Sequence, residues 1–192
     1  MTNPLLKLAN WIKEEDDSGN IFSRGAVLST VSKNGLPRSR VLGAKFDGEV
    51  IKFHTSPVSR KYKDIEFCKT VSLTYSFQRS LRSVSIEGTL ISLSESELDV
   101  DWMKFDNKFR KHYLISGEKS GSEIESSEKL EVALSNLTDG DENYRPNSFI
   151  GFKFSNITRI YFYSVINDNF ASSVLFEHQS STSGWIEKIV MP

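Results

Sequence analysis

The sequence predicts an α+β protein: a small antiparallel β-barrel decorated by helices. Three observations lead there. Short β-rich runs alternate apolar and polar residues, Asn-Gly and Asp-Gly dipeptides sit between such runs, and helical spacing is confined to brief stretches among them. A doubly wound parallel sheet would instead interleave a helical pattern with nearly every strand.

The chain has 192 residues, enough for one domain with a proper core, so residues 1–192 are expected to form a single unit. Its 24 Lys and Arg against 25 Asp and Glu argue against a broad basic surface, and no nucleic-acid partner is expected. A local cationic pocket for one phosphate remains compatible with that balance. Cys68 is the single cysteine, which excludes an intramolecular disulfide. His54, His112 and His178 lie far apart without ligand spacing, so no metal is expected. The start lacks a cationic segment followed by an unbroken apolar one, and no run approaches the roughly 20 apolar residues that span a bilayer. A cytoplasmic protein without a membrane partner is the expectation.

The elements follow in order. Leu5, Leu8, Ala9 and Ile12 fall at helical spacing and predict an amphipathic helix ending near Gly19. AVLSTVS is then a strand, and Asn34-Gly35 after it signals a tight hairpin. RSRVLGAKF follows, then Asp47-Gly48 as a second hairpin signal, then EVIKFHT; the three runs predict an antiparallel meander. Ser59 is placed to cap a helix carrying Tyr62 and Ile65. Val71, Leu73, Tyr75 and Phe77 alternate as a half-buried strand should, and SVSIEGTLISL forms the next, with Gly88 marking a bulge or close approach. Ser94-x-x-Glu97 is a capping box opening one helix across DVDWMKFDNKF. Residues 116–127 read as a polar loop, EKLEVALSNL as a short helix and TDGDENYRPN as a loop. SFIGFKF and ITRIYFYSV predict two further strands and WIEKIVMP the last, six or seven in all.

Three cationic features stand out. Arg40 and Lys45 lie on one predicted strand at opposite parity, Ser59-Arg60-Lys61 opens a helix, and Arg79 and Arg82 flank a strand start. The second suits a phosphate: a helix N-terminus offers unpaired N–H groups and a positive dipole end, and arginine adds a planar two-pronged donor. Taken alone, the triplet is more often a solvated helix start. Its setting changes that weighting.

The setting is a strand with Arg40-Val41-Leu42-Gly43-Ala44-Lys45, a hairpin, a strand ending in Phe53-His54-Thr55, and then Ser59-Arg60-Lys61. Val71-Ser72-Leu73 and Arg82-Ser83-Val84 with Gly88 continue the order. Here the chain resembles the pyridoxamine 5′-phosphate oxidase family, whose fold is a split β-barrel that binds flavin mononucleotide (FMN). Trp185 shortly before Pro192 extends the resemblance over nearly the whole chain, though its specific part runs from Arg40 to Gly88. The resemblance implies FMN as cofactor, with Arg40, Arg60 and Lys61 on its phosphate beside Ser59. Val41, Leu42, His54 and Thr55 would line the ribityl chain and ring, and Lys45 would face flavin and substrate. Ser83, Ser120 and Tyr163 fall where the family has further flavin contacts, and a homodimer with the cofactor at its two-fold interface is implied.

The second half departs from the family. Ser83 stands where the family has Gln, Tyr163 where it has Trp, and the flavin loop survives loosely as Glu118-Lys119-Ser120-Gly121-Ser122. The family's Arg-x-His-Asp-Arg substrate segment corresponds to Asn169-Phe170-Ala171-Ser172-Ser173, without one arginine or histidine. Arg110 is the nearest candidate for a substrate phosphate, with Tyr113 beside it. Three functions follow. The first is an FMN-dependent oxidase of a small substrate other than the B6 phosphates, such as an aromatic amine or a dihydro-aromatic acid. The others are a pyridoxine/pyridoxamine 5′-phosphate oxidase with substituted contacts, and a flavin-binding protein without catalysis.

Overall fold

The Asn3 side chain caps the first helix, α1 (Pro4–Asp17), accepting from the Leu5 N–H at 2.9 Å. In the computed structural model, which describes residues 3–20, 22–47, 50–138, 140–165, 170–179 and 184–192, Leu8 and Ile12 of this helix enter the main core, as their spacing predicts. Glu15 is buried too. Its carboxylate accepts from the Ser80 N–H and hydroxyl and from the Asn20 amide. Arg79 donates to the Ser18 carbonyl, and Arg82 pairs with Glu14 while lying 4.7 Å from the Trp11 ring centroid. The cations that flank that strand start therefore tie α1 to the barrel.

Among the described residues nine strands form one curled antiparallel sheet, accompanied by five α-helices. The strands are β1 (Gly25–Val31), β2 (Pro37–Gly43), β3 (Lys45–Asp47), β4 (Val50–Thr55), β5 (Thr70–Phe77), β6 (Arg82–Ser92), β7 (Ile150–Ser164), β8 (Ser172–Gln179) and β9 (Gly184–Ile189). Their order is β2-β1-β5-β6-β7-β4-β3. Beyond its β4 pairing, β7 pairs along the same edge with β8, which carries β9. One long strand thus serves two separate arms.

Several sequence expectations change. The meander does not form, because RSRVLGAKF breaks at the buried Ala44, whose N–H donates to the Arg24 carbonyl at 2.9 Å. Arg40 on β2 and Lys45 on β3 consequently sit on opposite ends of the sheet path. The Asn34-Gly35 hairpin joins β1 to β2, whereas Gly48 of the second signal lies outside the described residues; β3 and β4 on either side of it do pair antiparallel. SFIGFKF and ITRIYFYSV are one strand, β7. The polar stretch between them stays in the ladder through two register shifts, and the Ser155 and Thr158 hydroxyls donate to the Thr89 and Glu87 carbonyls. Gly88 is required opposite: a Cβ there would stand 2.3 Å from the Asn156 carbonyl oxygen. Finally, SSVLFEHQ, not predicted as a strand, is β8, packing Phe176 into the core beside Phe162.

The helix expected across DVDWMKFDNKF is two helices, α3 (Glu95–Lys104) and α4 (Asn107–Ser116). Asp106 supplies a fresh N-cap, accepting from the Phe109 N–H at 2.7 Å, so the chain turns instead of running on. The Ser94–Glu97 capping box forms as read. Outside the barrel, Leu93, Leu98, Trp102 and Phe149 make a second small core that holds α3 and α4 on the sheet. The helix after the polar loop, α5 (Glu128–Ser135), buries no residue.

Candidate functional site: a cationic pocket joined to a larger cavity

Ser59 caps the remaining helix, α2 (Arg60–Phe67), accepting from the Tyr62 N–H at 3.3 Å. Its hydroxyl also lies 2.9 Å from that of Thr55 at the end of β4, and the Lys61 ammonium donates to the Thr55 hydroxyl at 3.2 Å. Both hydroxyls are buried, so the helix start is locked to the strand end. Across from it, Arg40 on β2 donates to the Thr30 hydroxyl at 2.7 Å and reaches Asp64 of α2 at 3.4 Å. Arg38, two residues earlier on the same face, donates to the other Asp64 oxygen at 2.8 Å.

Arg38, Arg40, Ser59, Arg60, Lys61 and Ser120 thereby line one cavity of about 370 Å³. Four cations face it. One buried carboxylate, Asp64, answers two of them, and among the described residues neither Arg60 nor Lys61 pairs with a carboxylate. Burial pushes the Lys61 ammonium below its ordinary pKa, and the neighbouring Arg40 adds to the shift. A multiply charged anion would relieve that crowding, so the donor set fits a phosphate group.

A cavity of about 900 Å³ adjoins this pocket, sharing Lys61, Ser120 and Gly121 with it. His54, Thr55, Phe109 and Tyr113 also line it, with Leu130 and Ala133 of α5 on the far wall. The Tyr113 hydroxyl lies 2.7 Å from the carbonyl oxygens of both Thr55 and Ser148, fastening α4 over the end of β4. The His54 ring stacks on Phe149 at 4.7 Å, and its Nε2 stands 3.0 Å from Asp101 of α3. Lys52, two residues before His54, donates to the other Asp101 oxygen at 3.0 Å. Burial drives the His54 pKa down to about 4 against the opposing pull of Asp101, so the ring is neutral at physiological pH.

The other sequence candidates separate into groups. Leu42 packs against the barrel core, whereas Val41 points outward from β2, 64% exposed. Lys45 sits over the Phe105 ring at 3.5 Å, its pKa lowered by burial. Ser83 and Tyr163 are cross-strand partners on β6 and β7 and line a different cavity of about 330 Å³. Within one chain they do not meet the Arg40 pocket. Arg110 is not brought to either cavity. Its guanidinium is buried, donating to the Glu142 carbonyl at 3.2 Å and to the Asn107 side chain. In the divergent segment Asn169 lies outside the described residues, Phe170 is exposed, and Ser173 is buried with its hydroxyl accepting from Tyr161 at 2.9 Å.

Sequence reasoning missed Arg38, Asp64, Lys52 and Asp101. The spacing of Arg38 from Arg40 and of Lys52 from His54 was a visible same-face signal on their strands. Nothing local marks Asp64 or Asp101, which meet their partners only through the fold.

The fold is thus a split antiparallel barrel bearing a four-cation pocket at a strand end and helix start. Residues 23–139 match the family described as pyridoxamine 5′-phosphate oxidase, and the chain belongs to that family. It is 26% identical to the pyridoxine/pyridoxamine 5′-phosphate oxidase of Leptospira biflexa, over 99% of this chain and 89% of that protein. The protein of that name from Rubrobacter xylanophilus is 31% identical over 70% of this chain and 62% of its own length. Among solved structures, PhzG from Burkholderia lata in complex with tetrahydrophenazine-1-carboxylic acid superposes with a TM-score of 0.85 at 19% identity, covering 100% of this chain and 94% of that one. A pyridoxamine 5′-phosphate oxidase-related, FMN-binding protein from Nostoc punctiforme gives 0.83 at 15% identity over the full length of both chains. At such identities these structures speak for the fold, the split barrel.

Proposed function

We propose that this protein is an FMN-dependent oxidoreductase of the pyridoxamine 5′-phosphate oxidase type, acting as a homodimer on a small substrate other than the B6 phosphates. The carrying observation is the four-cation pocket opening into a cavity of about 900 Å³ through the shared Lys61 wall. Arg40, Arg60 and Lys61, joined by Arg38, would hold the flavin phosphate at the start of α2, with the Ser59 and Thr55 hydroxyls beneath. His54 and Thr55 would border the part of the cofactor that extends into the larger cavity. Flavin, when bound, would supply a hydride acceptor for a reduced substrate, with dioxygen as the terminal oxidant. The chain's own contribution would be position and charge.

The dimer reading is supported by the separation of Ser83 and Tyr163 from the Arg40 pocket and by the exposed Val41 on edge strand β2. A two-fold partner could supply the first pair to the second site. The altered substrate is supported by the internal use of Arg110 and by Asn169-Phe170-Ala171-Ser172-Ser173, which lacks the arginines and histidine of the family's Arg-x-His-Asp-Arg segment. The overall likeness to a PhzG complexed with a tetrahydrophenazine carboxylic acid makes dihydro-aromatic acids the first compounds to try.

The test is the absorbance spectrum of the purified protein and identification of the released chromophore, with light scattering on the same sample. Bound FMN in a dimer that loses flavin on dilution to monomer is expected. A protein that takes up no FMN, or a monomer holding it tightly, would overturn the reading. Turnover of pyridoxamine 5′-phosphate at about 1 s⁻¹ or faster would return the substrate to the B6 phosphates.

A further inference from the structure

The pair His54–Asp101 lies where the second core meets the larger cavity, and its geometry is one-sided. One face of the imidazole is stacked on Phe149, and the Phe105 ring meets it nearly perpendicularly, centroid to centroid 5.4 Å. The Cδ2 side is closed by β7, where a Cβ on Gly151 would come within 3.1 Å of it. Nε2 is committed to Asp101 at 3.0 Å. What remains is the Nδ1–Cε1 edge. His54 is a wall of the 900 Å³ cavity, and among the described residues Nδ1 makes no hydrogen bond.

Asp101 is 1% exposed and is held as an anion. Burial pushes its carboxyl up, but the Lys52 hydrogen bond and charge, with His54, outweigh burial and keep it below its ordinary value. A carboxylate only accepts, so a neutral imidazole facing it must carry its proton on Nε2. Nδ1 then has a lone pair and no proton. With Asn at position 101 the amide could donate to Nε2, and the proton would be free to move to Nδ1.

We propose that Asp101 is a positioning residue that fixes the His54 tautomer, so that the cavity wall presents an acceptor nitrogen and takes a ligand edge that donates, O–H or N–H. This rests on the flavin reading above, which places a polyol and ring N–H in that cavity. Lys52 completes the unit by satisfying the second Asp101 oxygen. The residues the family resemblance assigns include His54 but neither Asp101 nor Lys52, and the resemblance says nothing of which ring nitrogen is protonated.

The experiment uses the full-length protein with ¹⁵N-labelled histidine, first freed of bound flavin and then titrated with FMN, while absorbance follows binding. The expected result is an Nδ1 resonance of the unprotonated type in the wild type that moves toward the hydrogen-bonded position as FMN is added. Asp101→Asn should shift population to the Nδ1–H tautomer. His54→Phe, which keeps an aromatic ring against Phe149, should weaken FMN roughly fivefold, the worth of one ordinary hydrogen bond. The double variant should be no weaker than either single one, because the two residues act as one unit. A protonated Nδ1 in the wild type overturns the proposal. So does FMN binding that leaves the resonance unmoved, which would give the pair a purely structural role. If FMN does not bind the wild type at all, the flavin reading and the ligand half of this proposal fall together, while the tautomer is still read from the flavin-free protein. Should Asp101→Asn fail to fold, the wild-type resonance and His54→Phe decide the matter.

Discussion

The two ends of the candidate site are built differently. The cationic pocket rests on β1, β2, β4 and α2, where Thr30, Thr55, Ser59 and Asp64 are all buried and bonded to one another or to the cations above them. The opposite wall of the larger cavity is α4 and α5. Of these, α4 buries only Arg110 and α5 buries nothing. A wall with little buried surface has little stability to lose when its residues change. The contrast sets a buried, hydrogen-bonded barrel end against a lightly buried helical end.

The largest effect expected from breaking the first region is on flavin affinity. Replacing Arg60 and Lys61 together by Ala removes two charge-assisted contacts worth about 1.5–3 kcal/mol each, a loss of roughly a hundredfold to ten-thousandfold in Kd. Because neither side chain pairs with a carboxylate among the described residues, the melting temperature of the flavin-free protein should stay within a degree or two, on the order of a neutral surface change. Calorimetric titration with FMN and a thermal melt check both halves.

Phe53→Ala tests the same region from beneath. The side chain is fully buried against Phe152, and its removal should cost about 3–5 kcal/mol in a denaturant titration. A loss under about 1 kcal/mol would show that the barrel end is not the rigid one.

Acid should act on the junction between the regions. The His54 pKa is about 4 in the folded protein and near 6.5 when unfolded. The unfolded chain therefore binds the extra proton first. Its contribution is fully present above pH 6.5, is lost as pH falls toward 4, and changes no further below that. The loss approaches about 3 kcal/mol at most. The Asp101 charge raises the His54 pKa, and the charges of Lys45 and Lys52 lower it. Urea midpoints at pH 7.5 and 5, in the wild type and in His54→Phe, should differ in the first and converge in the second.

The smallest effect belongs to the helical wall. Leu130→Ala, in the helix that buries nothing, should change stability by less than about 0.5 kcal/mol yet alter KM for the substrate, since Leu130 faces the cavity. A large fall in stability there would erase the distinction between the regions.

How legible this was follows the same division. Ser59, Arg60 and Lys61 could be read because a cap and two cations are contiguous and opened a helix as the sequence suggested. Arg40 joined them only through the resemblance, and Arg38 was in plain view but unread. Arg110 misled because a helix in a sequence has no inside or outside; the Asp106 cap turned its face toward Glu142. The strand SSVLFEHQ escaped because its alternation is irregular, although its partners β7 and β9 are its neighbours in the chain. Asp101 and Asp64 were beyond reach altogether. An acid on a helix declares no partner until the helix is docked.

Ala44 carries a consequence for the barrel as a whole. The strands on either side of it, β2 and β3, are the two termini of the hydrogen-bonded sheet path, yet they are separated by that single residue. A closed barrel normally joins its first and last strands by a backbone ladder. Here the seam is a covalent link, and β2 is laid against β4 without pairing to it. The curl of the sheet is therefore enforced by chain connectivity, and the groove beside the seam is left free of strand-to-strand hydrogen bonds. It is along this unlaced margin that Arg40, Thr55 and Lys61 come within reach of one another.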